Sequence, residues 1–468
     1  MNADLLASES LRLLGDDPAG WVPPTDGADH DVAVVGAGQS GLTIAYALRR
    51  AGITRVTVLD AADDEQHVGS WAAKARMLRL RTDKNLVGPE LGNPALGFRA
   101  WLEARDGAQA WTAIDRAATA DWIAYLRWFR RQVRVPVRHG VRVLSIEPDS
   151  SGRLRLRLDG VDTVEVARKV ILANGVEGTG GPRIPAEVAG LSSAVFAHTG
   201  HHVDFAALHG RTVAVLGSAA SAFDAAATAL EAGAAEVHLF SRRADLAIVR
   251  PGGKPPALAL FDTFHLLPAA ERWRRRFAFT ASTPLDSVLR ATAHPNFRIH
   301  LAAPWQRTAE TGGQVEVTAA DGTHTYDFVI AGTGYQHDPA TRPELAGIAS
   351  KIALWRDVYE PPAESRSEYL GAFPYLGPGY QLTARDPDDG WLSQIHVFNA
   401  GASQSFGLPV GDVPSLRSGV TRLVDAVTRD FVLADPPRPT PPAPPSRDEY
   451  AHAVWTPHAE PVATGEAA

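Results

Sequence analysis

The chain has 468 residues and no cysteine. That absence removes disulfides, thiolate catalysis, iron–sulfur clusters and cysteine-ligated zinc, and with them any reductase chemistry that runs through a cysteine pair. A run of about 20 apolar residues, long enough to cross a bilayer, is also missing. The Ala-rich stretch from Thr212 to Val237 comes nearest, and Asp224, Glu231 and Glu236 interrupt it. An excess of positive charge is lacking: the formal net charge is −7, so no electrostatic footprint for nucleic acid exists. Residues Met1 to Asp17 carry neither a basic segment nor an apolar core of a signal peptide, so a cytoplasmic location is expected. Hydrophobic residues at 45% with 21% charged are ordinary for a globular protein of two or three domains.

What is present is a pattern that occurs twice. Residues 1–30 read as a short amphipathic helix and a linker. From Asp31 the chain shows an apolar β run, a Gly turn, an Ala/Leu-rich helix and a second β run, over Asp31–Asp60 and again over Thr212–Ser241. Strands alternating with helices predict parallel sheets of the doubly wound type, and two such units predict two nucleotide sites. Between them Asp121–Val133 reads as a helix with Asp121 as N-cap. Arg153–Leu158 with Val161–Val166, and Val315–Thr318 with Thr323–Tyr326, read as hairpins. Residues 251–300 read as a helical insertion covering the active site through Phe261, Phe264, Trp273 and Phe277. The stretch from Asp435 is Pro-rich and expected to be extended or disordered.

In the first unit Gly36-Ala37-Gly38-Gln39-Ser40-Gly41 follows the strand. Gly36 serves the tight turn, Gly38 lets the backbone approach a pyrophosphate, and Gly41 lets helix and strand pack closely. The phosphates would rest on the helix N-terminus. The next strand ends in Asp60, 19 residues beyond Gly41, where a carboxylate accepts from ribose hydroxyls and repels a 2′-phosphate. In the second unit, Gly217-Ser218-Ala219-Ala220-Ser221-Ala222 has alanine at the later glycine positions. The residue in register with Asp60 is Ser241, followed by Arg242 and Arg243. A hydroxyl and two guanidiniums suit a ribose 2′-phosphate, which favours NADP(H) over NAD(H).

One acid-ended and one Arg-ended site suggest FAD and NADPH. Three further segments sharpen this: Val68-Gly69-Ser70-Trp71, Asp327-Phe-Val-Ile-Ala-Gly-Thr-Gly334-Tyr335, and Arg168-Lys-Val-Ile-Leu-Ala-Asn-Gly175. Over residues 31–430 the sequence resembles the class B flavoprotein monooxygenases, which comprise N-hydroxylating, Baeyer–Villiger and flavin-containing enzymes. It lies closest to a divergent bacterial N-hydroxylase-like branch. The resemblance implies an α/β fold of two Rossmann-like dinucleotide-binding domains, the NADPH domain inserted in the FAD domain. The expected divisions are an extension 1–30, FAD parts 31–180 and 327–434, an NADPH part 181–326, and a tail 435–468. It also implies that NADPH reduces FAD, that O₂ adds to form a C4a-(hydro)peroxyflavin, and that one oxygen passes to a small molecule.

The Baeyer–Villiger fingerprint is not intact: only His198-Thr199 survives of it, with His202 where an aromatic residue would fall. Lys84-Asn85-Leu86-Val87 loosely resembles a stretch of the N-hydroxylating branch, so oxidation at nitrogen is expected first. Baeyer–Villiger, sulfur or heteroaromatic (urate-like) oxygenation, or an NADPH reductase without oxygen insertion, are the alternatives. Candidate catalytic residues are Arg81, Lys84 and Asn85. Candidate cofactor-binding residues are Gly36, Gly38, Gln39, Ser40, Gly41, Asp60, Gly69, Trp71, Gly217, Ser218, Ser221, Ser241, Arg242, Arg243, Gly334, Tyr335, Asn399 and Gly401. His198, His201, His202 and His209 read as loop histidines, and no metal is expected. Partners are a small-molecule substrate and O₂, with no nucleic acid and no membrane; a homo-oligomer is left open.

Overall fold

The computed structural model describes residues 2–69, 72, 74–160, 163–250, 258–279, 282–407, 409–436 and 446–455. Trp71 and the Pro-rich run 437–445 lie outside them. Two sheets carry the fold. In the first, His30–Val35 lies between Val56–Leu59 and Val164–Leu172, parallel to both, with Val32 opposite Val56 and Lys169. Leu154–Leu158 and Val143–Pro148 extend it antiparallel, and Ile395–Val397 pairs in parallel with Val164–Leu172. The run Asp31–Val34 is buried on both faces, as the unbroken β-branched pattern of a central parallel strand requires. The second sheet is wholly parallel, in the order Phe297–His300, Glu236–Phe240, Thr212–Leu216, Phe328–Ala331, Phe196–His198. Its strands fall between residues 196 and 331, whereas the first sheet closes with 395–397, so the second unit sits within the first along the chain.

Three expectations are corrected. The strand Phe328–Ala331, expected to reopen the first unit at 327, belongs to the second sheet. The chain crosses back through Tyr335–His337, which pairs antiparallel with the outgoing Gly180–Pro182. The helix expected from Asp121 runs Thr119–Val133 with Ala118 at its N-cap. Asp121 lies in its first turn and pairs instead with Arg105 at 2.6 Å. The expected insertion 251–300 divides: the helix Leu285–Thr292 packs on the second unit's Ala220–Glu231, and Phe297–His300 joins its sheet.

The helix Ala269–Phe277 packs elsewhere, burying Trp273 with Trp355, Leu370 and Phe373. Phe264 covers Gly407, Phe277 is 45% exposed, and neither lines the nucleotide cavity. No described helix is long and apolar enough to cross a membrane.

Candidate functional site

The first βα turn is built for an anion. Gly36 has φ +103°, and a Cβ there would lie 2.6 Å from Ala173 O, so only glycine fits. Gly41 would drive a Cβ to 1.8 Å from Gly36 O, which is the close helix–strand contact expected of the third glycine. Gly38 differs: a Cβ there would meet nothing nearer than Gly69 Cα at 3.8 Å. The protein leaves that space for something else. The helix Gln39–Arg50 begins beside it, and its first amides have no intrahelical acceptor. Asp60 is fixed by two amides: Ala37 N–H donates to Oδ2 (2.6 Å) and Ala62 N–H to Oδ1 (2.8 Å). The Gln39 side chain is spent structurally, donating to Gly411 O and accepting from Trp122 Nε1 at 3.1 Å. Ser40 Oγ also donates to Gly411 O, at 3.3 Å, which ties the loop before the long helix Val413–Ala434 to the turn.

These groups open onto a cavity of about 570 Å³ that reaches both units. Gly36, Gly38, Ser40, Asp60 and Gly69 line one end, and Ser221, Asp224 and Tyr335 line the other. Asn399 and Gly401 support the wall. Asn399 Nδ2 donates to Asn174 Oδ1 (2.9 Å), Asn174 Nδ2 donates to Glu344 (2.7 Å), and Glu344 pairs with Arg342 (3.0 Å). Gly401 donates its N–H to Asn399 Oδ1, and a Cβ there would strike Thr179. Gly334 has φ +78° and its carbonyl accepts from Arg183 N–H at 2.9 Å. Tyr335 stands edge-on to the buried His198, with ring centroids 5.9 Å apart, and burial pushes its phenol up to about 12.

Within this cavity Arg81 meets two acids. The surrounding protein lowers its pKa although the residue remains exposed, and the charges of Asp224, Asp412 and Asp286 oppose that shift. It closes no hydrogen bond or ion pair among the described residues. Asp412 precedes Val413–Ala434 at the N-cap position but accepts no cap bond. The residue is exposed at the cavity mouth, and the protein around its carboxyl raises its pKa to about 6 against the pull of Arg81. Asp224 is 5% exposed and is likewise raised, by desolvation first, with Ser287, Arg81 and Arg290 opposing. Sequence reasoning passed over both acids. Asp224 was visible as the one charge in the middle of an Ala-rich helix.

The second turn follows the same plan. Gly217 has φ +120°, and a Cβ would lie 2.5 Å from Gly332 O. Alanine is tolerated at 222 because the partner position is Gly332, where a Cβ would come within 2.5 Å of Ala222 Cβ. Ser241 is 1% exposed; its Oγ donates to Ser218 Oγ (2.9 Å) and accepts from Arg243 N–H (3.1 Å). Arg242 and Arg243 stand exposed beyond it. Gly217, Ser218, Ser241 and the two arginines therefore gather at one strand end, outside the enclosed part of the cavity.

The structure does not bring Lys84 and Asn85 to this cavity. Lys84 Nζ donates to Trp111 O and Ile114 O, both at 2.6 Å, and lies over the Trp111 ring. Asn85 is exposed and bonds Asp83. Both line a neighbouring cavity with Phe98 and Trp122. The amine that stood out in sequence is spent on two loop carbonyls. His198 and His201 face one another, with ring centroids 5.9 Å apart, and His198 Nδ1 accepts from Gly200 N–H.

Known proteins share this architecture. Residues 33–251 match the family described as pyridine nucleotide-disulphide oxidoreductase, although a chain without cysteine has no dithiol to offer. FAD-dependent urate hydroxylase of Xanthomonas campestris is 39% identical over 434 residues, which is 91% of this chain and 91% of that protein. Among solved structures, ornithine hydroxylase from Pseudomonas aeruginosa superposes with a TM-score of 0.65 at 20% identity, covering 86% of this chain and 99% of that one. Ornithine N-hydroxylase from Kutzneria, holding reduced FAD, NADP⁺ and L-ornithine, gives 0.64 at 16% identity over 86% and 99%. At such identities these two likenesses speak for the fold.

Proposed function

The chain belongs to the flavin-dependent monooxygenases, in the family of FAD-dependent urate hydroxylase, and on that premise we propose that it places one oxygen of O₂ on a urate-like oxo-heterocycle at the expense of NADPH. FAD reduced by NADPH supplies the electrons that activate O₂. The chain's own residues hold and shield the reactants. The open face of Gly38 and the amides at the start of Gln39–Arg50 suit the pyrophosphate of FAD, and Asp60 suits its ribose. Arg242 and Arg243 suit the 2′-phosphate of NADPH.

The observation that carries the substrate reading is Arg81: a solvent-accessible guanidinium on the wall of the cavity that holds the first turn, closing no hydrogen bond or ion pair among the described residues. A guanidinium so placed awaits acceptor atoms, and a ring carbonyl beside a deprotonated ring nitrogen of an oxo-purine anion presents two of them to its planar fork. The acids Asp224 and Asp412 face the same space and accept ring N–H groups. The kinship with urate hydroxylase agrees with this chemistry. The segment that favoured nitrogen oxidation, Lys84–Val87, lines the neighbouring cavity.

Oxygen uptake by the purified yellow protein with NADPH tests the proposal. Urate should stimulate uptake at least about tenfold over the substrate-free rate and yield a hydroxylated product. Stimulation by L-ornithine or L-lysine instead, with hydroxylamine formed, would transfer the assignment to N-hydroxylation. Reduction of an added acceptor with no oxygenated product would make the protein a reductase. Arg81→Ala should raise the KM for urate about tenfold or more, because a charged hydrogen bond is worth about 1.5–3 kcal/mol, and leave the KM for NADPH unchanged.

A further inference from the structure

We propose that His300, Asp321 and His324 form a site for one borderline first-row divalent cation of the zinc class. His300 ends the strand Phe297–His300 at the edge of the second sheet. Asp321 lies in the turn between Gln314–Ala319 and Gly322–Tyr326, and His324 lies on the latter strand. Two separate elements thus present two imidazoles and a carboxylate to one point, with donor atoms all within 4.8 Å of one another. Asp321 Oδ2 contacts His300 Nδ1, and Asp321 Oδ1 lies 3.3 Å from His324 Nε2. The three side chains are only 16%, 34% and 27% exposed, for His300, Asp321 and His324 respectively, so they are partly sheltered yet reachable.

The surroundings are those of a metal centre rather than of a loose ion pair. The ring nitrogen of His300 turned away from the cluster, Nε2, lies 2.9 Å from His238 Nδ1. His238 Nε2 in turn lies 3.1 Å from Glu236 Oε1, and the Tyr326 hydroxyl is 2.9 Å from His238 Nδ1. A ligating imidazole whose second nitrogen is oriented by a further group, with a carboxylate at the end of the chain, is the usual outer arrangement around zinc. Phe240 stacks on His300 with ring centroids 4.2 Å apart and lies edge-on to His324 at 5.6 Å, giving the cluster an apolar floor.

Two imidazoles and one carboxylate suit Zn²⁺, Ni²⁺ or Cu²⁺, whereas Mg²⁺ and Ca²⁺ prefer all-oxygen sets. Three protein ligands leave a fourth position for water. The site touches the nucleotide strand end, since Ser241 N–H donates to His300 O at 2.8 Å and Ala302 N–H donates to Arg243 O at 2.8 Å. A bound cation would hold the segment that carries Arg242 and Arg243.

The test is a Zn²⁺ titration by calorimetry of the untagged full-length holoprotein at pH 7.5, stripped beforehand with chelator, and a parallel Co²⁺ titration followed by visible absorption. The proposal expects one saturable equivalent per chain and the intense bands of four-coordinate Co²⁺. His324→Ala and Asp321→Asn should each weaken binding at least about a hundredfold, and His238→Phe, which alters only the orienting partner, about ten- to a hundredfold. His202→Ala, outside the cluster, should bind as the parent does, and retained flavin absorbance in every variant reports an intact fold. No saturable binding by the parent protein, or an unchanged isotherm in both His324→Ala and Asp321→Asn, overturns the site. Neither result depends on which substrate is oxygenated.

Discussion

Asp60 accepts one backbone amide on each oxygen, from Ala37 and from Ala62, and keeps its remaining lone pairs for a ribose. Asp60→Ala therefore removes a ligand contact and also leaves two turn amides unmet. Each charge-assisted hydrogen bond is worth about 1.5–3 kcal/mol, so FAD affinity should fall at least tenfold, read as a lower flavin-to-protein absorbance ratio after gel filtration. Full flavin content in the variant would remove Asp60 from the site. At the other strand end, Arg242 is exposed and free to reach a phosphate. Arg242→Ala should raise the KM for NADPH about tenfold and leave that for NADH as it was; equal effects on both would refute the 2′-phosphate role. Asp60 was legible in sequence because its distance from Gly41 is set by the length of a helix and a strand. Asp224 and Asp412 were not, since an acid inside an apolar helix or ahead of one reads as an interruption until the fold shows what it faces.

At the scale of elements, the second βα unit solves with Gly332 what the first solves with Gly41. Helix and strand must approach closely, and one of the two must give up its Cβ. Gly332→Ala would place a methyl 2.5 Å from Ala222 Cβ. It should destabilise the protein, and Ala222→Gly in the same chain should recover most of the loss. A thermal-unfolding double-mutant cycle should show coupling on the order of 1–3 kcal/mol, and strict additivity would mean that the contact is not the reason for glycine at 332. The alanines of the second turn looked like a degraded motif because the compensating residue lies 110 positions further on. The same blindness to long-range partners applies to Arg272, one of four arginines in five residues of a strongly polar helix. Arg272 is 7% exposed, with its guanidinium 4.8 Å from the Trp355 ring centre.

For the molecule as a whole, the doubled strand–turn–helix pattern was enough to foresee two parallel sheets, and the order of segments was enough to foresee one unit placed within the other. The boundary at 327 was misplaced because a buried strand looks alike in either sheet; only pairing with Thr212–Leu216 assigns Phe328–Ala331. His198 read as a loop histidine, yet it ends the strand Phe196–His198, and burial gives it and two others a pH response. His198, His337 and His396 are 0%, 6% and 1% exposed, and desolvation lowers their pKa values to about 4, about 3 and about 4. His198 Nδ1 accepts from Gly200 N–H, which needs that nitrogen unprotonated, and the charge of Arg276 lowers His337 further. Unfolding returns each to a pKa near 6.5, so below that pH the unfolded chain binds protons that the folded chain refuses. Stability is then fully present above about 6.5 and is lost as pH falls toward 4. Asp412 works the other way: its raised pKa of about 6 means that the folded chain takes a proton first. His265 shifts with these histidines and Asp224 with Asp412, and each proton of difference between the unfolded and folded chains tilts stability by about 1.4 kcal/mol per pH unit. Denaturant unfolding at pH 7, 6 and 5 should show the midpoint falling over the two lower steps. His396→Gln should flatten that fall and Asp412→Asn should steepen it, whereas a midpoint independent of pH would mean that these histidines titrate in the folded protein much as they do in the unfolded chain.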